Sequence, residues 1–505
     1  MKHLSTLIIV SFVTLLTACQ IREQSTPPVF TESPCPMEIP VGVQVRCGTV
    51  GVPENRQIKN SSQIVLSVVV ANSSNVTSDL PPVILLNGGP GAETLNSLSF
   101  ALNLFRGILS ERPVIFFDQR GVGLSSPALE CPEINSAQNE ALTQNLPGHE
   151  EDQLIADALA ACKAHLENSD INMAAYTTSA SADDVRDIIA ALKYPKVYLL
   201  GISYGTRLAQ VTIQRHQAEG WIAGAILDSV VPLQVNEQQE FWPNAQSIFN
   251  LIFEKCNSDT KCSASYPDLQ KVFYTSMEQL RQTPLEVKIF HPQTGKSMVV
   301  IVDEKDYFSL LFNLIYDPYE TTKIPQIIAS VSQGDSDVLR EPIQNALTYS
   351  QNIAWGMGMS VHCTDEGMTL DLNAIKETIA TLDPIYQQLA EGDAENLLAQ
   401  CRDWGAGTAA SVENRPLKTE LPLLILSGEL DPITPVVWGE LLHQSISSSY
   451  FFEFPGASHG VYGTFGMVNS CAESLVLDFL HNSSQSPDDT CVSKLKPLPF
   501  RPPSN

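Results

Sequence analysis

The chain has 505 residues, a formal net charge of −26 and 43% hydrophobic residues, and its mean hydropathy is −0.01. A chain of this length and composition can bury a large core and is typical of a globular body rather than a bundle of membrane-spanning helices. The strong negative charge argues against nucleic acid as a partner, because a phosphate backbone would repel it.

The N-terminus has the pattern of an export signal. Lys2 precedes an apolar stretch from Leu7 to Leu16, which is shorter than a bilayer-spanning helix. The sequence Leu-Thr-Ala-Cys ending at Cys19 resembles the lipobox of bacterial lipoproteins. The resemblance implies cleavage before Cys19 and a lipid anchor on its sulfur, in the outer membrane or periplasm of a diderm host or at the surface of a monoderm one. A plain secretory peptide with an incidental cysteine is the alternative.

Apart from Cys19, the chain has ten cysteines, an even number that suits disulfides in an exported protein. Sequence does not fix their pairing, but bridges between near neighbours form most easily. The favoured pairs are Cys35 with Cys47, Cys131 with Cys162, Cys256 with Cys262, Cys363 with Cys401, and Cys471 with Cys491. No cluster has convincing metal-ligand spacing, so neither a metal nor another cofactor is expected.

A glycine-rich loop ends the buried-strand pattern PPVILLNGGPG. Glycines let the backbone approach a reacting carbonyl group without an intervening side chain. We therefore assign the N–H groups of Gly89 and Tyr204 as the two donors to a developing oxyanion. A phosphate-binding loop is the alternative, but the segment lacks the Gly-Lys-Ser/Thr ending of such loops.

Two charged segments that follow favour structural roles. Asp118 and Arg120 in DQRGVGLS are expected to fix their turn by ion pairing and backbone hydrogen bonds, and so to brace the neighbouring oxyanion loop. In SADDVRDIIAAL, Ser181 or Asp183 is expected to cap a helix, whose first turn favours negative charge. Neither segment is predicted to be catalytic.

The most informative stretch is KVYLLGISYGTRLAQ. An apolar strand pattern ends at Leu200, the turn Gly201–Gly205 follows, and a helical pattern begins. This order is typical of a nucleophile elbow, a turn so tight that only glycine fits on either side of the nucleophile. Ser203 is therefore the predicted nucleophile. An ordinary Gly/Ser turn is the alternative, but it does not explain the strand before the turn and the helix after it.

A long insertion separates the strand-like AGAILDSVVP from the returning strand LPLLILSG. It is too long for a connecting loop, and segments such as QSIFNLIFEKC and DYFSLLFNLIYD carry apolar residues near helical spacing. We predict a mainly helical cap over residues 233–420, which covers the carboxyl ends of the strands and limits access to the serine.

An acid and a base follow the insertion. LPLLILSGELDPITP places Asp431 just beyond the end of a strand, with Glu429 as a nearby rival. YFFEFPGASHG places His459 in a small-residue loop after a short strand, whereas His443 and His481 lie in polar, helix-like surroundings. In the chain order Ser, Asp, His, the histidine takes the serine proton and the aspartate orients the imidazole.

Together, NGGPG, FFDQRGVGLSSP, GISYGTRLA, SGELDPITP and GASHG resemble the prolyl and tripeptidyl aminopeptidase family of α/β-hydrolase serine peptidases. The likeness is closest to the secreted, tripeptidyl-aminopeptidase-like branch and spans nearly the whole mature chain. It implies an exopeptidase that acts at free N-termini. The family's nucleophile, acid and base fall on Ser203, Asp431 and His459.

An aminopeptidase must hold a free α-ammonium group, and this requires a carboxylate in the cap near the nucleophile. The segment SVHCTDEG is the best candidate. In the resembling branch an acidic residue two positions after this cysteine is frequent, which falls on Asp365, with Glu366 as the second choice. A pair of solvated loop acids is the alternative.

The sequence therefore predicts an α/β-hydrolase fold with a mostly parallel central sheet and an inserted helical cap. The predicted segments are a signal peptide (1–18), a tether (19–34), the first part of the core (35–232), the cap (233–420) and the second part of the core (421–505). The expected activity is a serine exopeptidase that acts on peptides with free N-termini through an acyl-enzyme. An esterase or other small-molecule hydrolase with the same triad, and a catalytically silent binding protein, are the alternatives. The number of residues released, any preference for proline and the oligomeric state are left open.

Overall fold

The structure, a computed structural model, describes residues 27–73, 79–144, 146, 148–292, 294–349, 353–411, 413–464 and 467–503. The predicted signal peptide, Cys19 and the first part of the predicted tether lie outside these residues. None of the helices in the described ranges combines the length and the apolar character that crossing a membrane requires.

A nine-stranded sheet forms the centre of the described part. The strands of the chain are β1 (Phe30–Glu32), β2 (Val43–Pro53), β3 (Gln63–Ser73), β4 (Val83–Leu86), β5 (Val114–Phe117), β6 (Val197–Ile202), β7 (Ile222–Asp228), β8 (Leu285–Phe290), β9 (Ser297–Val302), β10 (Leu423–Gly428), β11 (Ser449–Phe454), β12 (Gly463–Thr464) and β13 (Met467–Val468). The sheet has the order β1-β2-β3-β5-β4-β6-β7-β10-β11. The strands from β5 to β11 in this order run parallel to one another, and β1, β2 and β3 add in antiparallel fashion. The predicted, mostly parallel sheet is confirmed.

Helices cover both faces of the sheet and fill the insertion. They are α1 (Leu98–Leu104), α2 (Arg106–Leu109), α3 (Pro132–Ala141), α4 (Gly148–Asn168), α5 (Thr178–Leu192), α6 (Tyr204–His216), α7 (Glu237–Ser258), α8 (Thr260–Ser265), α9 (Leu269–Gln282), α10 (Glu304–Leu314), α11 (Pro318–Thr321), α12 (Ile324–Val331), α13 (Arg340–Tyr349), α14 (Trp355–Asp365), α15 (Leu372–Ile379), α16 (Pro384–Leu389), α17 (Asp393–Trp404), α18 (Val436–Ser445) and α19 (Ser470–His481). Helices alternate with the parallel strands along the chain, as expected for this class of fold.

The central strands are apolar along their whole length because both faces of the sheet are covered. Successive side chains of a strand point to opposite faces. Ile84 and Leu86 of β4 belong to the core that α5 and α6 complete, whereas Val83 and Leu85 belong to the core under α1, α2 and α19. This packing fixes the carboxyl ends of β6, β7 and β10 along one edge of the body.

The insertion lies between β7 and β10 and contains helices α7 to α17 and the β8–β9 hairpin. Phe249, Phe273 and Phe308 are buried in a hydrophobic core of its own. Its later helices also pack on the sheet body, since Met357 of α14 and Trp404 of α17 belong to the core on one face of the sheet. The insertion is thus mainly helical, and its boundaries at 233 and 420 stay a prediction.

The N-terminal edge strand differs from the expectation for this segment. Residues 19–34 were expected to form a polar tether, but Phe30–Glu32 pairs with β2 in antiparallel fashion. The ring of Phe30 packs against the core, and burial of an aromatic side chain favours the ordered strand over a solvated linker. The folded body therefore begins before the first disulfide.

The C-terminal strap, residues 491–503, connects the sheet body to the insertion. Its first residue is disulfide-bonded to α19, and Pro497 lies against the loop that follows β11. Further on, Phe500 packs on the core of the insertion, and the N–H of Arg501 donates to the carbonyl oxygen of Thr322 at 2.9 Å. The strap thereby bridges the two parts of the molecule.

Five disulfides connect neighbouring parts of the chain. They join Cys35 to Cys47, Cys131 to Cys162, Cys256 to Cys262, Cys363 to Cys401 and Cys471 to Cys491. These are the pairs that proximity in the sequence favours. Five disulfides are typical of a protein that is exported to an oxidising compartment.

Candidate active site

Ser203 lies at the turn between β6 and α6. Its backbone has φ 57° and ψ −129°, a strained conformation that residues other than glycine rarely adopt. A side chain at Gly205 would collide with the carbonyl oxygen of Leu86, and one at Gly201 would collide with that of Gly205. Both flanking positions therefore require glycine, and the serine side chain alone projects from the turn.

The glycine-rich loop after β4 lies directly against this serine. A Cβ atom at Gly88 would lie 3.0 Å from the Cβ and 3.5 Å from the Oγ of Ser203. The next residue, Gly89, has φ 106°, which favours glycine. Of the two predicted oxyanion donors, Tyr204 directly follows the nucleophile at the start of α6, and Gly89 follows the loop residue that lies against the serine.

Asp118 holds this loop through backbone hydrogen bonds. Its carboxylate accepts the N–H groups of Thr94 and Leu95, which follow the loop, at 2.7 and 3.0 Å. Gln119 donates from Nε2 to the carbonyl oxygen of Asn87 at 3.0 Å. The DQRG turn therefore braces the loop, as its sequence indicated.

Helix α5 supplies the ion-pair partner of that turn. Arg120 pairs with Asp184 of α5 at 2.7 Å, and both side chains are almost fully buried. The helix begins earlier than expected: its N-cap is Thr177, whose hydroxyl accepts a backbone N–H of the first turn. The predicted caps, Ser181 and Asp183, are therefore wrong, because both lie inside the helix, and Asp183 forms ion pairs with α6.

His459 and Asp431 form a buried hydrogen-bonded pair. Nδ1 of His459 lies 2.9 Å from Oδ2 and 3.0 Å from Oδ1 of Asp431. Asp431 also accepts the hydroxyl of Thr434 at 2.6 Å and its N–H at 2.8 Å. Because the carboxylate holds a proton on Nδ1, Nε2 keeps its lone pair, which is the form that a general base needs.

The charges of this pair favour an ionised acid and a basic imidazole. Burial opposes the charged form of both groups, but their mutual attraction outweighs it. The pKa of Asp431 is consequently lowered, and the pKa of His459 is raised. The pair is thus arranged to stabilise an imidazolium as it forms.

The rival residues for acid and base are held elsewhere. Glu429 forms an ion pair with Lys255 and accepts the N–H of Gly456 at 2.7 Å. His443 lies 2.8 Å from the hydroxyl of Ser449, and His481 pairs with a surface glutamate. These contacts give all three side chains structural roles.

The end of β7 brings the elbow and the histidine loop to one place. The N–H of Ser203 donates to the carbonyl oxygen of Asp228 at 3.0 Å, and the N–H of Val461, two residues after His459, donates to the Asp228 carboxylate at 2.8 Å. Tyr316 of the insertion packs edge-on against the imidazole, with 5.2 Å between the ring centroids. The insertion therefore reaches His459.

Asp365, the first of the two acids predicted to bind an amine, is hydrogen-bonded to residues of α5 and α6. Asp365, at the end of α14, accepts the hydroxyl of Thr178 at 2.6 Å and the Nε of Arg207 at 3.2 Å. The hydroxyl of Thr178 also lies 2.9 Å from that of Tyr204. These contacts suit a residue that supports α6.

Glu366, the second of these acids, lies next to Glu237, a residue that the sequence analysis does not single out. Oε1 of Glu366 lies 3.6 Å from Nη1 of Arg207, and Oε2 accepts the N–H of Glu237 at 3.1 Å. Burial raises the pKa of both glutamates, and the charge of Glu237 adds to the rise at Glu366, although Arg207 opposes it. We call Glu237, Asp365, Glu366 and Arg207 the acidic cluster.

The half-buried Glu237 is influenced by charges of the cluster and of the histidine. Arg207 and His459 both oppose the rise in the pKa of Glu237 that burial causes. The sequence gives two signals for this neighbourhood, although neither singles out Glu237 among the acidic residues of the chain. Glu237 opens the first helix after β7, the strand whose end carries the elbow contact, and Arg207 follows Ser203 by one helical turn.

The chain is similar to known proteins over most of its length. Residues 81–464 match the model of the α/β-hydrolase fold family. A tripeptidyl aminopeptidase of Streptomyces lividans is 24% identical over 90% of this chain and 85% of its own length. The putative hydrolase YuaR of Escherichia coli is 24% identical over 81% of this chain and 79% of its own length.

Among solved structures, MGS-M2, an α/β hydrolase from a deep-sea metagenome library, is 12% identical, with a TM-score of 0.38 over 85% of this chain and 98% of that chain. The fold assignment stands on the family model and on the sheet order, with the strand, elbow and helix in the positions described above. The chain belongs to the α/β-hydrolase family and resembles its tripeptidyl aminopeptidases.

Proposed function

We propose that this hydrolase is a serine aminopeptidase that releases short peptides from free N-termini. The observation that carries the proposal is the acidic cluster, in which Asp365 and Glu366 lie 3.2 and 3.6 Å from the guanidinium of Arg207. A third acid is adjacent, because Oε2 of Glu366 accepts the N–H of Glu237. A free α-ammonium group would supply the missing positive charge.

In the proposed reaction, Ser203 attacks the carbonyl carbon of the scissile peptide bond while Nε2 of His459 takes the hydroxyl proton. The N–H groups of Gly89 and Tyr204 stabilise the oxyanion of the tetrahedral intermediate. His459 then gives the proton to the leaving amine, which leaves an acyl-enzyme on the serine. Water, activated by the same imidazole, releases the N-terminal peptide and restores Ser203.

Glu237 is the best placed member of the cluster to bind the amine. Asp365 is committed to Thr178 and Arg207, and Glu366 is nearly fully buried and accepts a backbone N–H. Glu237 is half-buried and interacts with both Arg207 and His459. We therefore propose that Glu237 contacts the ammonium group and that Glu366 adds negative charge behind it, with Asp365 as a supporting residue.

The length of the released peptide follows from the distance between this amine site and the serine. The relatives named tripeptidyl aminopeptidases support release of three residues. The insertion, which contributes Tyr316 beside the imidazole, would close the far side of the pocket and so prevent cleavage further along the peptide.

The test is the product profile of a mixed peptide library in which half of the peptides are acetylated at the N-terminus. The purified protein should trim the free peptides and leave the acetylated ones intact, with tripeptides as the main products in mass spectra. The Ser203→Ala variant serves as the control and should show no trimming.

The outcomes separate the candidate functions. Equal trimming of free and acetylated peptides would refute amine recognition, and trimming by Ser203→Ala would refute the nucleophile. Hydrolysis of neutral esters without any peptide cleavage would identify an esterase. Failure of a fluorophosphonate to label Ser203 would favour a silent binding protein.

We also propose a lipid anchor at Cys19, on the strength of the lipobox-like sequence. The ten residues between Cys19 and Phe30 would reach at most about 35 Å when extended, so the anchored body would stay close to the membrane. In a bacterial host, Cys19→Ser should move the protein from the membrane fraction to the soluble exported fraction. A membrane-bound Cys19→Ser protein would contradict the anchor.

A further inference from the structure

A second aspartate, outside the predicted triad, supports the loop that carries His459. Asp228 is the last residue of β7, and its side chain is fully buried. Its Oδ1 accepts the N–H of Val461 at 2.8 Å, and its Oδ2 accepts the N–H of Tyr462 at 2.7 Å. Both donors belong to the loop that carries His459, so this carboxylate fixes the position of the loop.

The next residue extends the same support. The hydroxyl of Ser229 donates to Oδ1 of Asp228 at 3.3 Å and accepts the N–H of Gly460 at 2.9 Å. Ser229 has φ 61°, a backbone conformation that costs free energy for residues other than glycine. Three consecutive N–H groups after His459 are thus held by two residues at the end of one strand.

Asp228 also contacts the backbone of the nucleophile. Its carbonyl oxygen accepts the N–H of Ser203 at 3.0 Å, and the register of β6 against β7 pairs Ile202 with Asp228. One residue therefore links the backbone of the serine turn to the loop of the base. Proton transfer between serine and histidine depends steeply on their separation, and a shift of about 1 Å can cost about 100-fold in rate.

The charge of Asp228 acts on the imidazole as well. Burial opposes protonation of His459, and the Asp431 carboxylate, followed by Asp228 and Glu237, outweighs it and raises the pKa of His459. Burial raises the pKa of Asp228 itself to about 6, against the two N–H donors and the attraction of His459, and nearby Asp431 adds to the rise. Above that pH, Asp228 carries a negative charge next to the base.

We propose that Asp228 is a positioning residue of the reaction, which holds the His459 loop against the Ser203 turn and whose charge stabilises the imidazolium. The inference rests on the proposed roles of Ser203 and His459. It adds a second buried carboxylate that acts on the base without any hydrogen bond to the ring: Asp431 orients the imidazole, and Asp228 sets its distance from the serine.

The test is the rate at which a neutral fluorophosphonate labels Ser203, measured as a function of pH. This reaction needs the serine and the histidine but no amine recognition. Asp228→Asn should label about 100-fold more slowly at neutral pH. The acidic limb of the pH–rate profile is the range in which labelling slows as His459 becomes protonated. In Asp228→Asn this limb should move to lower pH, because removing a negative charge lowers the pKa of His459.

Two further variants separate position from charge. Ser229→Ala keeps the carboxylate and loses one support of the loop, so it should slow labelling without moving the acidic limb. Asp118→Asn removes a buried carboxylate that also accepts backbone N–H groups but braces the oxyanion loop, so it should likewise leave the limb in place.

An acidic limb of Asp228→Asn that coincides with the limb of the unmodified protein would overturn the charge effect, and a labelling rate within a factor of two would overturn the positioning. If Asp228→Asn does not fold, an unchanged rate in Ser229→Ala overturns the positioning. Absence of labelling in the unmodified protein would instead contradict the proposed function.

Discussion

Buried carboxyl groups have different partners in two regions of the molecule, namely the edge of the sheet near Ser203 and His459 and the acidic cluster. At the edge, Asp118, Asp228 and Asp431 each accept two or more N–H or O–H donors. In the cluster, Asp365 and Glu366 share the guanidinium of Arg207 as their cation, and Glu237 interacts electrostatically with the same group. We call the edge carboxylates compensated because each has its own hydrogen-bond donors. The cluster is short of positive charge because its three carboxyl groups depend on one cation.

This difference shows how to tell a structural carboxylate from one that binds a ligand. A buried carboxylate with a full set of donors gains little from an additional cation and serves to fix the backbone around it. A buried carboxylate that faces like charges is unfavourable in free energy while no cation is bound. Binding an ammonium group lowers that free energy, which favours binding.

The largest effect is expected at the compensated edge. Asp431→Asn should lower kcat by about 10⁴-fold, because an amide in place of the carboxylate favours the wrong tautomer of His459 and no longer stabilises its cation. The measurement is steady-state hydrolysis of a free-amine peptide, with folding checked by thermal denaturation.

Glu429→Gln is the matched control, since Glu429 lies in the same loop and pairs with Lys255 instead of the histidine. Its kcat should stay within about threefold of the unmodified protein, in line with a partly exposed ion pair. A larger loss for Glu429→Gln than for Asp431→Asn would exchange the two assignments.

A smaller effect is expected in the cluster. Glu237→Gln should raise KM for free-amine peptides so that kcat/KM falls by about 10–100-fold, which corresponds to the loss of one charge-assisted hydrogen bond of about 1.5–3 kcal/mol. Hydrolysis of a neutral ester should change much less. Glu240→Gln is the control, because Glu240 lies in the same first turn of α7 and is exposed; equal losses in both variants would contradict a specific amine site.

The pH dependence of binding tests whether the cluster is short of positive charge. The pKa of Glu237 and Glu366 is raised by burial, so these groups become neutral at a higher pH than ordinary glutamates. As the pH falls, they take up protons while the ligand amine stays charged, and the attraction is lost. Titration calorimetry of a free tripeptide with Ser203→Ala should therefore show weaker binding at pH 5 than at pH 7.5. An acetylated tripeptide should show no such change, and identical pH dependence of the two ligands would refute the role of the glutamates.

The smallest effect concerns the C-terminal strap, which connects the sheet body to the insertion. Phe500→Ala should lower the free energy of unfolding by about 1–2 kcal/mol, because the ring is partly buried on the core of the insertion. Leu498→Ala is the control, since Leu498 lies on the same strap with 39% of its surface exposed. Urea denaturation of both variants measures the difference, and equal stabilities would show that the strap does not hold the insertion.

Local patterns were sufficient to predict the parts of the molecule that steric rules dictate. The elbow could be predicted because the turn itself excludes a side chain at Gly201, where a Cβ atom would collide with the carbonyl oxygen of Gly205. The mostly parallel sheet follows from apolar runs such as that of β4, which require cover on both faces. The five disulfides follow the order of the cysteines because short loops close easily.

Contacts between distant segments were less accessible to such patterns. Nothing near Arg120 in the sequence indicates that its partner is Asp184, 64 residues away. Glu237 is one of many acidic residues in helical surroundings, and only the contact of α7 with the end of α14 gives it a neighbour in Glu366. The edge strand β1 was missed because only one of its side chains, the half-buried ring of Phe30, packs against the core.

Short segments of the sequence predict the turn at Ser203, the order in which Asp431 and His459 follow it, the class of fold and a large helical insertion, because each depends on local geometry. Which carboxylates are compensated follows only from tertiary contacts, since their donors come from separate strands and helices. Asp228 illustrates the difference: in sequence it is an aspartate that ends a strand, and in the fold it joins the N–H of Ser203 to the loop of His459.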